Sequence, residues 1–396
     1  MGVFDNPGGF LPEPLGVEVL HEWQLRPADV LPLQDPLYGG APVEERLSEM
    51  RVMTGKTATA TLILLSFLLL GVLYCYQNYR VFVSFELNDS RPKDRAADFL
   101  PLSDEFHLEA EHLQYKQPSI LQGRTDVVTV TPWLAPVVWD GTFDPVLLDS
   151  LYRPRNISVA ITVFAVGKYI RFLEDFLQTA EQHFFVGFNV HVYVFTDRPN
   201  ELPRVHMAAG RQVTVRSVPS SQRWQEISAH RMELIQTLIE ELNNQKDYIF
   251  CLDVDSRFHG RWGTESLGRL VAVIHPGYYR NRRSQLPYER RQESRAFLAP
   301  EDGDFYYCGG AFGGRLQEVH LMAKTCRLNF EEDARGGIEA AWQEESHLNR
   351  YLWFNKPSKV LSPEYLWQDF KSREPEIHLI RFSGVVKNYA EIRPNA

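Results

Sequence analysis

The chain has 396 residues, 44% of them hydrophobic and 12% aromatic, and a formal charge of −9. That length and apolar content supply one large core or two ordinary ones and exclude global disorder. The acidic balance excludes a general nucleic-acid binder, and four scattered cysteines without a C-x-x-C pair exclude a disulfide framework and a structural zinc site.

Residues 1–56 are rich in Pro, Gly and acidic side chains and lack an apolar period, which predicts a disordered tail. "TATATLILLSFLLLGVLYCY" (57–76) is twenty residues without a charge, the length of a bilayer-spanning helix. Arg46, Arg51 and Lys56 precede it and Arg80 is the first cation after it, so a cytoplasmic N-terminus and a luminal C-terminus are expected. The run is too long and too far from residue 1 for a cleaved signal peptide. Asn88-Asp-Ser90 and Asn156-Ile-Ser158 fit the N-glycosylation pattern, and both lie on the expected luminal side. Residues 77–125 mix charges, Pro and isolated apolar residues and read as a stem, leaving 126–396 as the folded domain.

Within that domain "ISVAITVFAV" (157–166) reads as a buried strand, and Ile170, Leu173, Phe176, Leu177 and Ala180 follow at helical spacing. "VHVYVFTD" (190–197) alternates as a second strand. A strand near 211–217, a helix near 225–243 and a strand at 248–252 come next. Strand–helix–strand alternation predicts an α/β domain whose mostly parallel sheet carries helices on both faces.

Ligands of such sheets bind beyond the carboxyl ends of the strands, and Asp253 and Asp255 fall at one of these ends. Alternating projection from an extended segment turns both carboxylates to one side, where they hold a hard cation or cap a loop. Asp302-Gly-Asp304 is a second D-x-D. "GDFYYCGGAFGGR" (303–315) is either a tight hairpin with core aromatics or a close backbone approach to a ligand. "AAWQEESHLNRY" (340–351) sets Trp342 and Glu345 on one helical face, as a sugar-site pair or a solvated surface; a lone His347 is structural by default. "RNRRSQLPYERRQESR" (280–295) is a solvated loop, with contact to phosphates as the alternative.

"VFAVGKY", "VHVYVFTDRP", "FCLDVD", "IHPGYY", "PYERR", "GDFYY-x-GG-x-FGG", "AAWQEESHLN" and "KPSKVLSPEYLW", in this order, resemble glycosyltransferase family 6. These are the vertebrate retaining α-1,3-galactosyl and N-acetylgalactosaminyl transferases. The resemblance runs from "TPWLAPVVWDGTF" (131–143) nearly to the C-terminus. It implies a GT-A fold, with a nucleotide-binding half joined to an acceptor-binding half behind one transmembrane helix in the Golgi membrane. By the same resemblance, Phe164, Ala165, Val166 and Tyr169 match the uridine segment and Arg231 an arginine near the donor. Asp253-Val254-Asp255 matches the motif holding Mn²⁺ on the UDP diphosphate, and Lys387 a basic residue that closes over it. Glu345 matches the carboxylate that acts as nucleophile or as stabiliser of an oxocarbenium-like state. His275, Tyr288, Trp342 and Glu344 match positions lining the donor sugar or the acceptor, Glu344 going with the donor and His275, Pro287, Trp342 and Gln368, with Glu345, going with the acceptor. Gly309 and Gly310, with Gly277, imply room for the acetamido group of UDP-GalNAc.

Within the family the wording is most like the Forssman-type branch, which adds α-1,3-GalNAc to globoside. A fucosylated or plain galactose acceptor is the alternative, and a catalytically silent glycan-binding relative is another. Gln368 stands where the family has Asp, with Asp369 displaced by one, and Cys308 and Ser256 also depart from the family wording.

Overall fold

The structure, a computed structural model, describes residues 113–220 and 224–388. They belong to the second of two units, Leu100–Ala396. The expected tail, the apolar span 57–76, Asn88 and the stem up to residue 112 lie outside these residues. Among the described residues no helix is long and apolar enough to cross a membrane. Residues 113–125 form no helix or strand. Arg124 ties the start of the domain down, donating to Asp126, to the Asp140 carbonyl (3.0 Å) and to the Glu376 carbonyl (2.7 Å).

The strands in chain order are β1 (Val137–Val138), β2 (Ser158–Phe164), β3 (Asn189–Thr196), β4 (Arg211–Ser217), β5 (Tyr248–Leu252), β6 (Ser256–Phe258), β7 (Leu270–Ile274), β8 (Tyr307–Arg315), β9 (Lys359–Leu361), β10 (Trp367–Gln368) and β11 (Phe382–Gly384). The α-helices are α1 (Pro145–Tyr152), α2 (Leu173–His183), α3 (Trp224–Leu242), α4 (Leu316–Arg335) and α5 (Gln343–Phe354). Eight strands make the main sheet in the order β1-β9-β7-β8-β5-β2-β3-β4. All neighbours run parallel except β8, which lies antiparallel between β7 and β5. A small sheet, β10-β11-β6, stands beside the end of β5.

Period-two alternation sorts the core into two layers. Val159, Ile161 and Val163 of β2 and Val190, Val192 and Val194 of β3 pack on Phe176, Leu177 and Ala180 of α2. Ala160, Tyr193, Ile249 and Cys251 face the other way, onto Met232 and Ile235 of α3, Met322 and Ala323 of α4 and Leu348 of α5. The expected mixed α/β layering is therefore present, with sequence-read strand ends within two residues of the observed ones. Asn156 is exposed in a left-handed turn (φ 47°) just ahead of β2.

The glycine-rich run corrects one expectation. "YCGGAFGGR" is no hairpin but β8 itself, at the centre of the sheet. Gly313 needs to lack a side chain, because a Cβ there meets the Phe250 ring at 2.5 Å and the Ile249 carbonyl at 2.6 Å. Toward its start β8 is bulged: Ala272 pairs with Phe312 but Ile274 with Tyr307, so two steps along β7 face five along β8. Bulges of this kind release ladder groups for other uses.

Candidate functional site

Asp253 follows β5, and its N–H donates to the Gly310 carbonyl at 2.9 Å. The D-x-D is a turn rather than an extended segment, with Val254 buried in the core between the two carboxylates. The alternation expected there gives way because the chain turns at 254–255 to leave the main sheet for β6 of the small one. Asp253 keeps a side chain 41% exposed, whereas Asp255 is buried and paired with Lys387 from the C-terminal segment.

The released backbone of the β8 bulge is taken up on both sides. The Gly309 N–H donates to Glu345 Oε2 at 2.7 Å, and the Gly309 carbonyl accepts from Arg231 Nη1 at 3.1 Å. Arg231, nearly buried on α3, also reaches Glu344 Oε1 at 2.7 Å and Asp253 Oδ1 at 3.3 Å. Its guanidinium lies between the rings of Phe164 (5.6 Å) and Phe312 (5.5 Å). One cation therefore joins the end of β2, the D-x-D turn, the bulge and the first turn of α5. A Cβ at Gly310 would meet Asp253 Oδ2 at 2.8 Å and Leu366 at 3.3 Å, so this glycine opens space directly beside the carboxylate.

Glu345 is held twice, by the Gly309 N–H and by Tyr306 Oη, which donates to Oε1 at 2.8 Å. Both bonds favour the ionised form, as does the start of a helix. Burial outweighs them, with Glu344 and Asp253 adding to it, and pushes the carboxyl up to about 7. Asn349, one turn along α5, clamps the Tyr307 N–H and carbonyl (2.8 Å each), which fixes the strand against the helix.

His275 follows β7, its N–H bonded to the Tyr306 carbonyl at 2.9 Å. Its ring lies 4.7 Å from Tyr278 and 5.8 Å from Tyr306, and burial with Lys371 nearby pushes it down to about 4, so it is neutral. Tyr288 packs 5.3 Å from Tyr306 and donates to the Phe305 carbonyl, which brings half-buried Pro287 to the same wall. Trp342 is half-exposed just before α5. Gln368 lies in β10, opposite Gly384. Its neighbour Asp369 is occupied by Ser383 Oγ and by Arg257 Nη2 at 3.3 Å, within the small sheet.

Phe164 (8% exposed), Ala165, Val166 and Tyr169 lie together at the carboxyl end of β2 and are buried. The structure thus brings Phe164, Arg231, Asp253, Gly309, Gly310, Glu344 and Glu345 into one contiguous network, with His275 joined to it through Tyr306. Tyr306, Tyr278 and Asn349 were not singled out in the sequence. "GDFYY" and the i, i+4 spacing of Glu345 and Asn349 carried that signal, but only the pairing of β8 with α5 gives it meaning.

Other candidates resolve as structural. Asp304 pairs with Lys356 at 2.8 Å. His347 is buried beside Asp333 and Phe330. The arginine loop is not merely solvated: Arg280 binds Glu376 (2.6 Å) and Glu374 (3.1 Å), and Arg291 binds Glu289 (2.6 Å). Buried Glu289 in turn accepts from the Ala341 N–H at 2.8 Å, joining the loop to the segment that leads into α5.

Residues 82–394 match the model of glycosyltransferase family 6. Globoside alpha-1,3-N-acetylgalactosaminyltransferase 1 of Gallus gallus is 53% identical over 283 residues, covering 71% of this chain and 82% of that protein. The Homo sapiens protein of the same name is 49% identical over 282 residues (71% and 81%). Histo-blood group ABO system transferase 2 of Rattus norvegicus is 49% identical over 282 residues (70% and 84%).

Proposed function

Because the chain belongs to glycosyltransferase family 6, we propose that it is a retaining α-1,3-N-acetylgalactosaminyltransferase. It moves GalNAc from UDP-GalNAc to the terminal sugar of a glycolipid, globoside before others. The observation that carries the reading is the β8 bulge, where one glycine's two backbone groups hold Glu345 on one side and Arg231 on the other. The names of relatives at 53% and 49% identity support the donor and acceptor. The rat ABO-type relative at 49% keeps a fucosylated galactose acceptor as the second reading.

The donor set at the D-x-D suits a hard divalent cation. Asp253, Asp255 and Glu344 gather beside Arg231 and Lys387, and the Asp253 side chain stays partly exposed, so an incoming cation can reach its carboxylate. Oxygen ligands of this kind fit Mn²⁺ or Mg²⁺; Mn²⁺ is the ion proposed, and Asp253 and Asp255 would hold it. Such an ion, when bound, would supply Lewis acidity against the charge that grows on departing UDP.

The chain's own groups do the rest. Phe164, Ala165, Val166 and Tyr169 form the end of β2 assigned to the uridine, and Arg231 fixes Asp253 and Glu344 in position. Lys387 adds positive charge on the diphosphate side and, with its segment, limits water. Glu345, once ionised, faces the anomeric carbon as nucleophile or as the charge that steadies an oxocarbenium-like state. Tyr306 and the Gly309 N–H keep its oxygens aimed, so little reorganisation is needed during reaction. His275, Pro287, Tyr288, Trp342 and Gln368 are assigned to the acceptor side, and Gly309, Gly310 and Gly277 to acetamido clearance.

The same reading includes the GT-A division into donor and acceptor halves. It also includes a type II Golgi topology anchored by residues 57–76, and glycans on Asn88 and Asn156. The test is the purified full-length chain with Mn²⁺, UDP-GalNAc or UDP-galactose, and globoside or H-type acceptor. Transfer of GalNAc to globoside is expected. Transfer only to the H-type acceptor installs the second reading, and donor hydrolysis without transfer to either removes both products.

A further inference from the structure

Three side chains from three elements converge beside the carboxylate network: His275 after β7, Cys308 in the β8 bulge and Glu345 in the first turn of α5. One ligand atom from each lies within 4.8 Å of the other two. None belongs to the D-x-D turn. A nitrogen, a sulfur and an oxygen together are the donor set of a borderline cation such as Zn²⁺, while Mn²⁺ and Mg²⁺ prefer oxygen alone. We propose that His275, Cys308 and Glu345 form a second cation site, selective for Zn²⁺ and separate from Asp253 and Asp255.

The geometry is close to what such a site needs. Zinc bonds of about 2.0–2.3 Å set tetrahedral ligand atoms roughly 3.5 Å apart, so the widest edge must close by about 1 Å. Each of the three keeps part of its surface open, and rotation of the His275 and Cys308 side chains covers that distance while Glu345 stays on its two hydrogen bonds. Glu345 keeps ligating capacity, because each oxygen accepts one hydrogen bond and retains a second lone pair. His275 Nδ1 accepts the Gly277 N–H at 3.0 Å, and that bond is given up whichever ring nitrogen binds. Gly277 is exposed, so its N–H turns to water at small cost. The Cys308 thiol proton leaves to solvent as the Zn–S bond forms, and three protein ligands leave the fourth position to water.

The site depends on a sulfur at position 308. A serine or aliphatic residue there would leave two ligands, too few for a zinc site. A cation bound to Glu345 also removes that carboxylate from any reaction, so micromolar Zn²⁺ would act against Mn²⁺-supported transfer. The inhibition rests on the role proposed for Glu345; the binding does not.

Co²⁺ reports thiolate ligation optically and serves as the probe for the full-length chain kept in saturating Mn²⁺. A near-ultraviolet sulfur-to-cobalt band is expected, bleached by Zn²⁺, absent in Cys308→Ser and requiring about 10–100 times more Co²⁺ in His275→Gln. No band, or an equal band in Cys308→Ser, overturns the site. A measurement on the unmutated chain guards against a variant that misfolds: alkylation of Cys308 by iodoacetamide, mapped by peptide mass. Zn²⁺ is expected to slow it at least about tenfold while Mn²⁺ does not; equal rates with and without Zn²⁺ overturn the proposal. Zinc protection of Cys308 in a chain that transfers no sugar would leave the site standing and remove only the inhibitory role.

Discussion

The two ends of the β8 bulge are built on different principles. On the Glu345 side the holding contacts are hydrogen bonds: the Gly309 N–H, Tyr306 Oη and the Asn349 clamp hold carboxylate, strand and helix in one arrangement. On the Asp253 side the arrangement is one of opposed charges. Asp253 is 41% exposed with one cation at 3.3 Å, and Asp255 is matched by a lysine from a segment near the chain's end. The difference teaches that the carboxylate proposed to react is held by hydrogen bonds, whereas the side proposed for the diphosphate is held by charges from Arg231 on α3 and Lys387 near the chain's end. Hydrogen bonds can be satisfied within a fold, but a cluster of carboxylates stays costly until a cation arrives.

Four substitutions test that contrast, in order of decreasing effect. Asp253→Asn removes the charge that both Arg231 and an incoming cation use, so Mn²⁺-supported transfer should fall by more than about 10³ with an unchanged circular dichroism spectrum. Near-parental activity in that variant would end the metal assignment.

Glu345→Gln should lower transfer by about 10³ and yet stabilise the protein above neutral pH. The carboxyl's folded value of about 7 lies above its ordinary 4.5, so the folded state binds more protons between these values. Its contribution to stability is therefore complete below pH 4.5 and lost as pH rises through 7. A melting temperature above the parent's at pH 8, converging toward acid pH, is the expected readout; a lower one at pH 8 would mean that ionised Glu345 is stabilised rather than strained.

Gly310→Met places atoms 2.8 Å from Asp253 Oδ2 and 3.3 Å from Leu366. The preference for UDP-GalNAc over UDP-galactose should drop by about 10–100-fold in kcat/KM. An unchanged ratio would detach this glycine from donor choice. Tyr306→Phe removes one of the two bonds favouring ionised Glu345, so the acidic limb of the activity profile should move to higher pH. Near pH 7 the loss should be about tenfold, and it should shrink toward pH 8.5. A pH-independent loss would assign the tyrosine to packing alone.

Much of the fold was legible because apolar periodicity is local. The strands at 158–164, 189–196 and 248–252 and the helix at 173–183 followed from residues that alternate or recur on one face. The "GGAFGG" run was not legible as a strand, since glycine carries no periodic signal and the need for it at Gly313 is set by the Phe250 ring of a neighbouring strand. Asp253 and Asp255 were found by position, although the turn that separates them was not.

The sequence by itself determined the strand and helix pattern, the carboxylates and glycines available to a site and, through its ordered motifs, the family. Tertiary structure alone decided which groups meet. The bulge that frees both backbone groups of Gly309, the reach of Arg231 to four segments and the convergence of His275, Cys308 and Glu345 depend on pairings between segments far apart in the chain. Local propensity has no term for those pairings, because hydrogen bonds and charges act over a few ångströms in space whatever their separation in sequence.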